Sequence, residues 1–579
     1  MLYTITKPNT YQDSIVLMLL SNKLNEVEGV NKAQAMMATP ANKDILAGGG
    51  FDTEEMREAG ANDIVIVVDT DDESKVEEIS ALVDSELAGG ADDEEEVEAN
   101  NWRKALTIAK EPNVALISLP GQYAAMEGMN ALHNNLNVFM FSDNVSVEDE
   151  RKLKETAHKK GLLVMGPDAG TGVINGTPLA FTNIINKGNI GVVGASGTGI
   201  QEVTTITDRL GGGVTNAIGT GGRDLKDAIG AITMIDAIKA LNSDPSVDVI
   251  TVLSKPSSEA IQDKVNSVLR SLDKPVVVLY LGDTPEYTEE NIFHAYTLEE
   301  TAIAALQKSK GEEVSFEPSI KEDVTANFND KQVGIRGFYS GGTLATEAAM
   351  LIKHATGEES AEDEAFVYKS EHHQIIDLGD DMYTQGTPHP MIDPANRLKA
   401  LESAASDDEI AVVLLDNVLG YGSHKNMAAQ LAPAIEKFLA AKKDAGQEVV
   451  VLATVVGTDK DVQGYDSQRR ILEGAGAVIC DTNDQMVRTA LNLIGEKVEQ
   501  PVREVKSFDK TNEDLTVADS LKDLISGELS VINIGLEGFT EALVDQEVDY
   551  VQFNWRPSAG GNEELMKVLQ FLNHYEGDI

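Results

Sequence analysis

Short apolar runs alternate with amphipathic stretches of helical spacing along most of this chain of 579 residues. In the first third, the runs with the length of a strand are residues 2–6, 33–37, 63–68, 114–119 and 138–141, and residues 13–25, 73–87 and 123–132 between them have helical spacing. A helix between two strands carries the chain back across the sheet, so that the strands pair in parallel. The pattern therefore predicts an α/β fold with parallel sheets.

The same alternation starts again near residue 186 and near residue 331. A turn-rich stretch from Gly166 to Gly172 precedes the first restart, and the acidic residues 312–330, which lack apolar periodicity, precede the second. We therefore expect α/β domains at residues 1–185, 186–311 and 331–499, with a linker at 312–330 and a C-terminal extension at 500–579. The acidic residues 89–99 predict a surface loop within the first domain.

In the second and third domains, an apolar strand runs through a Ser-Gly loop directly into a helix. The first loop consists of Ser196, Gly197, Thr198 and Gly199, and the second consists of Ser340, Gly341, Gly342 and Thr343. A helix begins with unpaired N–H groups and the positive end of its dipole, so that such a loop favours an anion. Neither loop has the Gly-Lys-Ser/Thr ending of a P-loop. The pair predicts two helix N-termini directed at one phosphate or acyl phosphate; the alternative is a capped, tight turn.

A glycine-rich turn with an arginine follows the strand after the first Ser-Gly loop. Gly221, Gly222 and Arg223 should therefore lie at the same edge of the sheet as that loop, where open α/β sheets bind ligands. A guanidinium group can bind a carboxylate or a phosphate through two parallel hydrogen bonds. We predict that these three residues bind substrate, and the alternative is a surface ion pair between Arg223 and Asp224.

The most polar part of the chain lies between residues 371 and 394. It contains His373, Asp377 and His389, which are candidate catalytic residues because histidine and carboxylate side chains exchange protons. Asp380 and Asp381 of the same segment are candidate substrate-binding residues. The spacing matches no standard zinc motif, so that no metal site is predicted, and the alternative is that the segment shapes a loop.

The composition limits the classes of partner. With 96 acidic and 47 basic residues, the formal net charge is −49, which argues against binding of nucleic acid through a general basic surface. The chain has no apolar run long enough for a membrane span, and its first residues lack the order of a signal peptide. Its single cysteine, Cys480, cannot form an internal disulfide. We therefore expect a cytoplasmic protein that binds small anionic molecules and neither nucleic acid nor membrane.

Six segments of the chain resemble the FdrA family, which is related to the succinyl-CoA synthetases. These segments are residues 39–43 (TPANK), 141–145 (FSDNV), 161–168 (GLLVMGPD), 194–202 (GASGTGIQE), 375–381 (IIDLGDD) and 388–394 (PHPMIDP). The resemblance covers essentially the whole chain. Two stretches, 166–168 and 196–198, look like segments of the synthetase α subunit, and the third domain resembles the carboxyl-terminal domain of the β subunit.

The resemblance implies a particular arrangement of domains. Residues 1–185 would form a Rossmann-like domain of the CoA-binding type, and residues 186–311 and 331–499 would form two flavodoxin-like domains. In the synthetases, one helix from each subunit points its N-terminus at a phosphorylated histidine. By resemblance, the two Ser-Gly loops are the starts of both helices in one polypeptide, and their residues would bind phosphate or acyl phosphate.

Two departures from the synthetases change the expected reaction. No segment between the linker and the third domain is long enough to hold an ATP-grasp domain, and the glycine-rich segment around the phosphohistidine is missing. His294 lies in the corresponding region without that setting. We therefore expect that this chain alone binds no nucleotide. CoA follows only from the resemblance, and no cofactor follows from the residues themselves.

The resemblance links the chain to anaerobic allantoin and purine degradation and to a multi-subunit oxamate carbamoyltransferase. This transferase interconverts oxalurate plus phosphate with oxamate plus carbamoyl phosphate. The first hypothesis is therefore a carbamoyltransferase subunit that acts with other subunits or as a homodimer. The second is an acyl-CoA synthetase of the succinyl-CoA ligase type, and the third is a non-catalytic ligand-binding scaffold.

Overall fold

The structure is a computed structural model that describes residues 1–8, 10, 12, 14–72, 75–88, 99–254, 257–384, 387–557, 565 and 568. The strands within these residues form five sheets. Most of the acidic loop predicted at residues 89–99 lies outside this part of the chain. Among the described residues, no helix combines the length and the apolar content needed to cross a membrane.

Helices and strands alternate almost throughout. The first elements are β1 (Leu2–Lys7), α1 (Ser14–Asn25), β2 (Val30–Met37), α2 (Pro40–Gly48), α3 (Glu54–Glu58), β3 (Ile64–Thr70), α4 (Lys75–Ala88), α5 (Trp102–Ile108), β4 (Val114–Ile117), α6 (Gly121–His133), β5 (Asn137–Met140), α7 (Val147–Lys160), β6 (Val164–Met165), β7 (Thr171–Ile174) and β8 (Thr177–Ala180). The middle elements are β9 (Ile190–Gly194), α8 (Gly197–Arg209), β10 (Val214–Gly219), α9 (Ile232–Ser243), β11 (Val249–Ser254), α10 (Glu259–Ser271), β12 (Val276–Tyr280), β13 (Tyr287–Glu289), β14 (Ile292–Ala295) and α11 (Leu298–Ser309). The last elements are β15 (Gly334–Tyr339), α12 (Gly342–Thr356), β16 (Tyr368–Lys369), β17 (Gln374–Asp377), α13 (Asp381–Thr384), α14 (Ala395–Ala404), β18 (Ile410–Val418), α15 (Met427–Asp444), β19 (Val450–Val456), α16 (Tyr465–Gly474), β20 (Val478–Cys480), α17 (Asn483–Leu493), β21 (Glu504–Lys506), α18 (Asp519–Ser526), β22 (Ser530–Ile534), α19 (Glu541–Asp545) and β23 (Asp549–Phe553).

The first three strands form a sheet of their own, in the order β1-β3-β2. β3 is antiparallel to both neighbours, and its Ile66 lies between Ile5 of β1 and Ala35 of β2. The expectation of one parallel sheet across residues 1–185 is therefore wrong for this part. An alternation of strands and helices specifies neither which strands are neighbours nor their direction, and β3 enters between two strands that run the other way.

The strands β4, β5 and β6 belong to a second sheet, which the C-terminal strands complete. Its order is β23-β22-β4-β5-β6, and all neighbouring strands are parallel. Residues 500–579 are therefore more than an extension, because β22 occupies the position beside β4. Both tryptophans of the chain, Trp102 and Trp555, donate their indole N–H groups to the buried carboxylate of Glu127, at 2.6 and 2.8 Å.

The second domain is built on a seven-stranded sheet in the order β14-β12-β11-β9-β10-β7-β8. Neighbouring strands are parallel from β14 to β10, and the hairpin of β7 and β8 adds two antiparallel strands. The predicted boundary at residue 185 is corrected here, because this hairpin, at residues 171–180, pairs with β10 and not with the sheets of the first domain. The strands β9, β10, β11 and β12 are buried along their whole length. Burial on both faces explains why these strands read as continuous apolar runs rather than as alternating ones.

The third domain has a six-stranded sheet in the order β16-β17-β15-β18-β19-β20, which is parallel except for β16. Its central strands β15 and β18 are buried throughout. The predicted α/β fold with parallel sheets is confirmed for the second and third domains. Residues 310–333, which include the predicted linker, form neither helix nor strand.

One hydrophobic core runs through the contact between the second and third domains. α8 and α11 of the second domain pack against α12 and α17 of the third. Val203, Ala302, Leu344 and Val487, one from each of these helices, belong to the same buried cluster. Because α8 follows the carboxyl end of β9 and α12 follows that of β15, this packing places the two helix N-termini side by side.

Candidate functional site

The two Ser-Gly loops lie in direct contact. Ser196 is the N-cap of α8, and its Oγ accepts a hydrogen bond from Gly199 N at 2.9 Å. The hydroxyl groups of Ser196 and Thr343 are hydrogen-bonded to each other, and Thr343 N donates to Thr198 Oγ1 at 3.4 Å. The structure therefore brings the predicted phosphate-binding residues of both domains to one place.

Glycines allow the two helices to approach this closely. A Cβ atom on Gly199 would lie 3.2 Å from the methyl group of Thr343, and one on Gly341 would lie 3.1 Å from that of Thr198. Both distances are shorter than an ordinary van der Waals contact, so that a side chain at either position would push the loops apart. The glycines are therefore a packing requirement as well as a feature of a helix N-terminus.

The second loop already holds a carboxylate of the chain itself. Asp416 Oδ1 accepts from Ser340 N at 2.8 Å, and Asp416 Oδ2 accepts from Ser340 Oγ at 3.0 Å and from Gly341 N at 2.8 Å. Asp416 is fully buried, and the buried Arg397 lies 3.2 Å from Oδ1. The prediction that Ser340 and Gly341 bind an external phosphate is corrected here, because an internal anion uses these donors.

The open donors lie at the first turns of both helices. Gly197, Thr198 and Gly342 are partly exposed, and their backbone N–H groups have no acceptor among the described residues. Such groups carry the partial positive charge of a helix N-terminus, and two N-termini meet at this point. This is the part of the loop pair that remains able to bind an anion.

Two of the predicted catalytic residues lie beside the second loop. A Cβ atom on Gly342 would collide with Asp377 Oδ2, and one on Gly379 would collide with His389 Nε2. Burial, and to a smaller extent the nearby Arg397 guanidinium, lower the pKa of His389 to about 4. The imidazole of His389 is therefore neutral at pH 7, and Asp377 is the carboxylate at the edge of the open donors.

His373 lies at the opposite end of the sheet. It precedes β17, and its Nδ1 accepts from Ile335 N, near the start of β15, at 3.2 Å. Burial lowers the pKa of His373 to about 4. About 13 Å of extended chain separates His373 from Asp377. His373 therefore lies away from both Ser-Gly loops. It precedes the start of β17, whereas the loops follow the carboxyl ends of β9 and β15.

Arg223 forms an ion pair away from the first Ser-Gly loop. Its Nε lies 2.9 Å from Glu150 Oε2, and its Nη2 donates to Val145 O at 2.7 Å. The buried Lys154 joins the same group, with Nζ 2.9 Å from Glu150 Oε1 and 2.8 Å from Asp224 Oδ1. The prediction that Arg223 orients a substrate is corrected, because its charge holds α7 against the turn.

The two glycines before Arg223 belong to the same turn. The turn starts beside the first Ser-Gly loop, where Thr220 N donates to Gly194 O at 2.9 Å. Gly221 then adopts a φ of +81°, and a Cβ atom there would collide with Pro167 O. The structure assigns Gly221 to close backbone packing, with Gly222 next to it, and the substrate-binding role predicted for both does not follow from their positions.

Asp380 and Asp381 separate at the end of β17. Asp380 Oδ1 accepts from Met382 N at 3.0 Å and so caps the short helix α13. Asp381 lines a different cleft, together with Asp143. Partial burial and the charge of Asp143 raise the pKa of Asp381. Of the predicted substrate-binding pair, Asp380 therefore caps a helix, and Asp381 lines a cavity.

Sequence reasoning missed the groups that lie behind the loops. One is the buried pair of Asp416 and Arg397, whose signal is an aspartate near the end of an apolar run. The other is a group of two buried glutamates around Asn483. Glu202 Oε1 accepts from Asn483 N at 3.0 Å, and Glu347 Oε2 accepts from Asn483 Nδ2 at 2.7 Å. Burial raises the pKa of both glutamates, that of Glu347 to about 8. No spacing marks this group, because α8, α12 and α17 each contribute one member.

Three family models match parts of the chain. Residues 1–103 match the AllF, heavy metal-associated domain; residues 185–282 match the CoA binding domain; and residues 338–493 match the CoA-ligase domain. The CoA-binding match thus falls on the seven-stranded sheet, whereas the sequence assigned this type to residues 1–185. In the part of the chain that the structure describes, no group of three or more His, Cys, Asp or Glu side chains could hold a metal ion.

The chain is also similar to individual proteins. It is 41% identical over 498 residues to the uncharacterized protein YahF of Escherichia coli strain K12, which corresponds to 83% of this chain and 96% of that protein. It is 24% identical over 194 residues to the α subunit of an ADP-forming succinate–CoA ligase of Methanothermobacter thermautotrophicus, 32% of this chain and 64% of that subunit. The apo form of a dinucleotide-forming acetyl-coenzyme A synthetase 1 from Ca. Korarchaeum cryptofilum aligns with 67% of this chain and 84% of its own at 16% identity, with a TM-score of 0.29.

Proposed function

The chain belongs to the FdrA family, which is related to the succinyl-CoA synthetases, and from this premise we propose that it is a subunit of an oxamate carbamoyltransferase in anaerobic allantoin and purine degradation. The reaction would move a carbamoyl group between oxalurate and phosphate where the two Ser-Gly loops meet. The observation that carries the proposal is the set of three open backbone donors on Gly197, Thr198 and Gly342, at two helix N-termini. Such donors suit a phosphate group without a side-chain cation.

The proposed chemistry needs no nucleotide. An oxygen of hydrogen phosphate attacks the ureido carbonyl carbon of oxalurate and forms a C–O bond to it. The C–N bond to the oxamate part breaks, and its electron pair stays on that nitrogen. The proton of hydrogen phosphate ends on the same nitrogen, so that the products are carbamoyl phosphate and oxamate.

The open donors would hold the phosphate and the charge that develops on it. Each helix dipole contributes only about 0.3–1 kcal/mol to an anion near a surface. Direct hydrogen bonds therefore have to supply most of the selectivity. The loss of one preorganised donor of this kind typically lowers an enzymatic rate by about 10²–10³.

The second loop would have a supporting role. The Asp416 carboxylate occupies Ser340 and Gly341, so that an external phosphate would rest chiefly on α8 and on Gly342. Under this proposal, Asp377, which lies beside Gly342 and whose Oδ1 accepts from Gly379 N at 2.9 Å, would also accept a hydrogen bond from an N–H group of the carbamoyl group. His389, neutral at pH 7 and with Nδ1 accepting from Met391 N at 3.3 Å, would donate a hydrogen bond from Nε2 without adding positive charge.

The test is phosphorolysis of oxalurate by the full chain together with the subunits that copurify with it. We expect oxamate and carbamoyl phosphate to form only with phosphate and without added nucleotide, as followed by phosphorus NMR. Thr198→Val keeps the backbone donor but removes the hydroxyl that accepts from Thr343 N and helps hold the two loops together, so that it should lower the rate about tenfold, the effect of about 1.4 kcal/mol on the barrier. Thr156→Val, on α7, is the matched control and should leave the rate unchanged.

The outcomes of this test separate the hypotheses. The transferase proposal fails if no phosphate-dependent turnover is seen with any copurifying subunit. Binding of phosphate without turnover would favour the non-catalytic scaffold. A strict requirement for a nucleotide would favour a ligase.

A second candidate function is favoured by the CoA-binding and CoA-ligase matches at residues 185–282 and 338–493. Under this alternative, the chain is an acyl-CoA synthetase whose nucleotide chemistry comes from another subunit, because residues 310–333 leave no room for a nucleotide-binding domain before β15. Calorimetric titration of the full chain with CoA distinguishes the two functions. Binding in the micromolar range favours the synthetase, and the absence of heat favours the transferase.

A further inference from the structure

The strand β21 lies at the surface and is paired along one of its two edges. In the part of the chain that the structure describes, its neighbour is β13, and the two form a parallel, two-stranded sheet. Glu504 N donates to Glu286 O at 3.1 Å, so that the backbone groups of Glu504 face β13. These directions alternate along a strand, and the N–H and C=O groups of Val505 therefore face the other side. β21 thus offers an open edge centred on Val505.

Apolar side chains are exposed along this edge. Val502 is 90% exposed, Val505 is 77% exposed, and Phe508 is 43% exposed. An exposed apolar edge strand is a template for pairing with another strand, unless charges, prolines or bulges prevent it. The charges here are Glu504 and Lys506, of opposite sign, on either side of Val505. They repel some strands and attract others, so that the order of charges selects the partner.

Side-chain contacts hold the segment in place on both sides of the open edge. Arg503 Nη2 lies 2.6 Å from Glu300 Oε2, and its guanidinium lies over the ring of Phe293. The Arg270 guanidinium lies 4.0 Å from the centroid of the Phe508 ring. The strand is therefore ordered before any partner arrives, and pairing along its open edge costs little additional conformational entropy.

The sequence of the segment is complementary to itself in an antiparallel pair. When Val505 lies opposite Val505 of a second copy, Glu504 lies opposite Lys506 of that copy, and Lys506 lies opposite its Glu504. Further out in the same register, the exposed Val502 lies opposite Phe508. Opposite charges and apolar pairs both stabilise antiparallel strands when they lie directly opposite each other. One register therefore matches the charges and the apolar side chains together.

The direction of the backbone groups agrees with this register. In an antiparallel pair, opposite residues that exchange two hydrogen bonds alternate with opposite residues that exchange none. Val505 faces the open side and would exchange hydrogen bonds with its own copy. Glu504 would lie opposite Lys506 in a pair of the second kind, where the Cα atoms are about 4.5 Å apart and the side chains approach closely. The result is a four-stranded sheet, whereas a sheet of two strands is only marginally stable by itself.

The local charge permits a second copy to approach. The chain as a whole carries a formal net charge of −49 and therefore repels its own copies. Residues 501–510, in contrast, contain three basic and two acidic residues. Contact through this segment brings together two surfaces that lack the acidic excess of the rest of the chain.

We propose that β21 is a dimer interface, at which two copies of this chain pair their β21 strands antiparallel about a two-fold axis through Val505. Such an interface is isologous, so that each contact between different residues occurs twice. The inference is independent of the proposed transferase function, because no candidate site residue belongs to residues 501–510.

Sedimentation velocity of the full chain tests the dimer, and we expect a species of twice the mass of the chain. Glu504→Lys and Lys506→Glu each turn two attractive cross-strand pairs into two repulsive ones, and each should raise the dissociation constant about tenfold. An equimolar mixture of the two variants should dimerise again, because each lysine then lies opposite a glutamate. Glu436→Lys, at an exposed position of α15, makes the same change of charge as Glu504→Lys and should leave the dissociation constant unchanged.

Cysteine cross-linking tests the register. Val505→Cys should form a disulfide with its own copy when diamide is added, because the opposite Cα atoms would be about 5.5 Å apart. Val502→Cys is the matched control at another exposed valine. Its own copy would lie six residues along the strand, about 20 Å away, so that it should not cross-link. The native Cys480 is buried and should contribute no cross-link.

Four results would overturn the inference. The first is a monomer at every concentration, and the second is a dimer that both charge variants leave intact. The third is a mixture of the variants that stays monomeric, or cross-linking as fast at Val502 as at Val505, which would exclude this register. The fourth is occupation of β21 by a copurifying subunit in place of a second copy. Circular dichroism of each variant checks that the loss of the dimer is not a loss of the fold.

Discussion

Ser196 and Thr343, which are 147 positions apart in the chain and belong to different domains, share a hydrogen bond between their hydroxyl groups. The same Ser196 oxygen caps α8 by accepting from Gly199 N. One atom therefore fixes both the start of a helix and its contact with the neighbouring domain. This bond joins the two helix N-termini, and the proposed binding of one anion by Gly197 and Gly342 depends on it.

Removal of this hydroxyl should destabilise the chain more than the loss of an ordinary N-cap. Ser196→Ala removes a cap worth about 1 kcal/mol and an interdomain hydrogen bond worth about 0.5–1.5 kcal/mol. The matched control is Ser146→Ala, which removes the cap of α7 on Asp149 N and an exposed hydrogen bond to the Asp149 carboxylate, but no contact between domains. Urea denaturation of both variants checks the difference, and equal losses of stability would contradict it.

The Asp416 carboxylate, which accepts hydrogen bonds from the second Ser-Gly loop, should be essential for the stability of the chain. Asp416→Asn leaves the buried Arg397 without its counterion, and we expect a loss of about 3–5 kcal/mol in the free energy of unfolding. The double variant Asp416→Asn with Arg397→Met removes the unpaired charge as well and should recover part of this loss. Thermal unfolding of four proteins, namely the unmodified chain, each single variant and the double variant, tests the prediction. Additive losses in the double variant would show that the two side chains are not coupled.

Stability should fall with rising pH because of Glu347. Burial raises its pKa from 4.5 to about 8, so that the folded chain holds a proton that the unfolded chain releases. This contribution is complete below the unfolded pKa and is lost as the pH rises through about 8, with a slope of up to about 1.4 kcal/mol per pH unit. His373 and His389, with a pKa of about 4, act in the opposite direction only below about pH 6.5. The window for measurement is therefore pH 6.5–8.

Denaturation of the Glu347→Gln variant across this window checks the assignment. We expect a flatter dependence of the unfolding free energy on pH than in the unmodified chain, because an amide does not ionise. Glu436→Gln, at an exposed position of α15, is the control and should keep the original slope. A slope that Glu347→Gln leaves unchanged would assign the proton to another group.

The single thiol should be unreactive in the folded chain. Cys480 is fully buried at the end of β20, and burial raises the pKa of its thiol to about 12. The thiolate is the reactive form of cysteine. We therefore expect that a thiol reagent at pH 8 leaves most of the native chains unlabelled at Cys480 after an hour. The same reagent in denaturant should label it completely. Rapid labelling of the native chain would show that β20 opens readily.

Much of the fold could be predicted from local patterns. The continuous apolar runs of β9, β11 and β15 mark buried parallel strands, and both Ser-Gly loops lie where a strand passes into a helix. The first domain was less predictable, because strand direction and neighbours depend on contacts between distant residues. Pairing of β4 with β22 joins positions more than 400 residues apart, as the bond from Asn113 Nδ2 to Glu528 O, at a separation of 415, illustrates.

The candidate site was predictable to a similar degree. Ser196, Thr198 and Gly342 could be found because a helix start after a strand has a recognisable sequence. Arg223 and His373 were misplaced, since a charged or titratable residue shows its chemistry but not its partner. The Asp416 carboxylate in the second loop was missed for the same reason.

By itself, the sequence determined the strands, the helices, the two helix starts and the family of this protein, because periodicity, glycine spacing and motif identity are local properties of a chain. Only the tertiary structure decided which backbone N–H groups of the loops remain open and which donate to Asp416. It also decided that Asp381 and Asp143 line the same, separate cleft. These outcomes depend on which side chains meet across domains. The burial of a side chain and its hydrogen-bond partners depend on contacts between distant residues, and no local sequence pattern specifies these contacts.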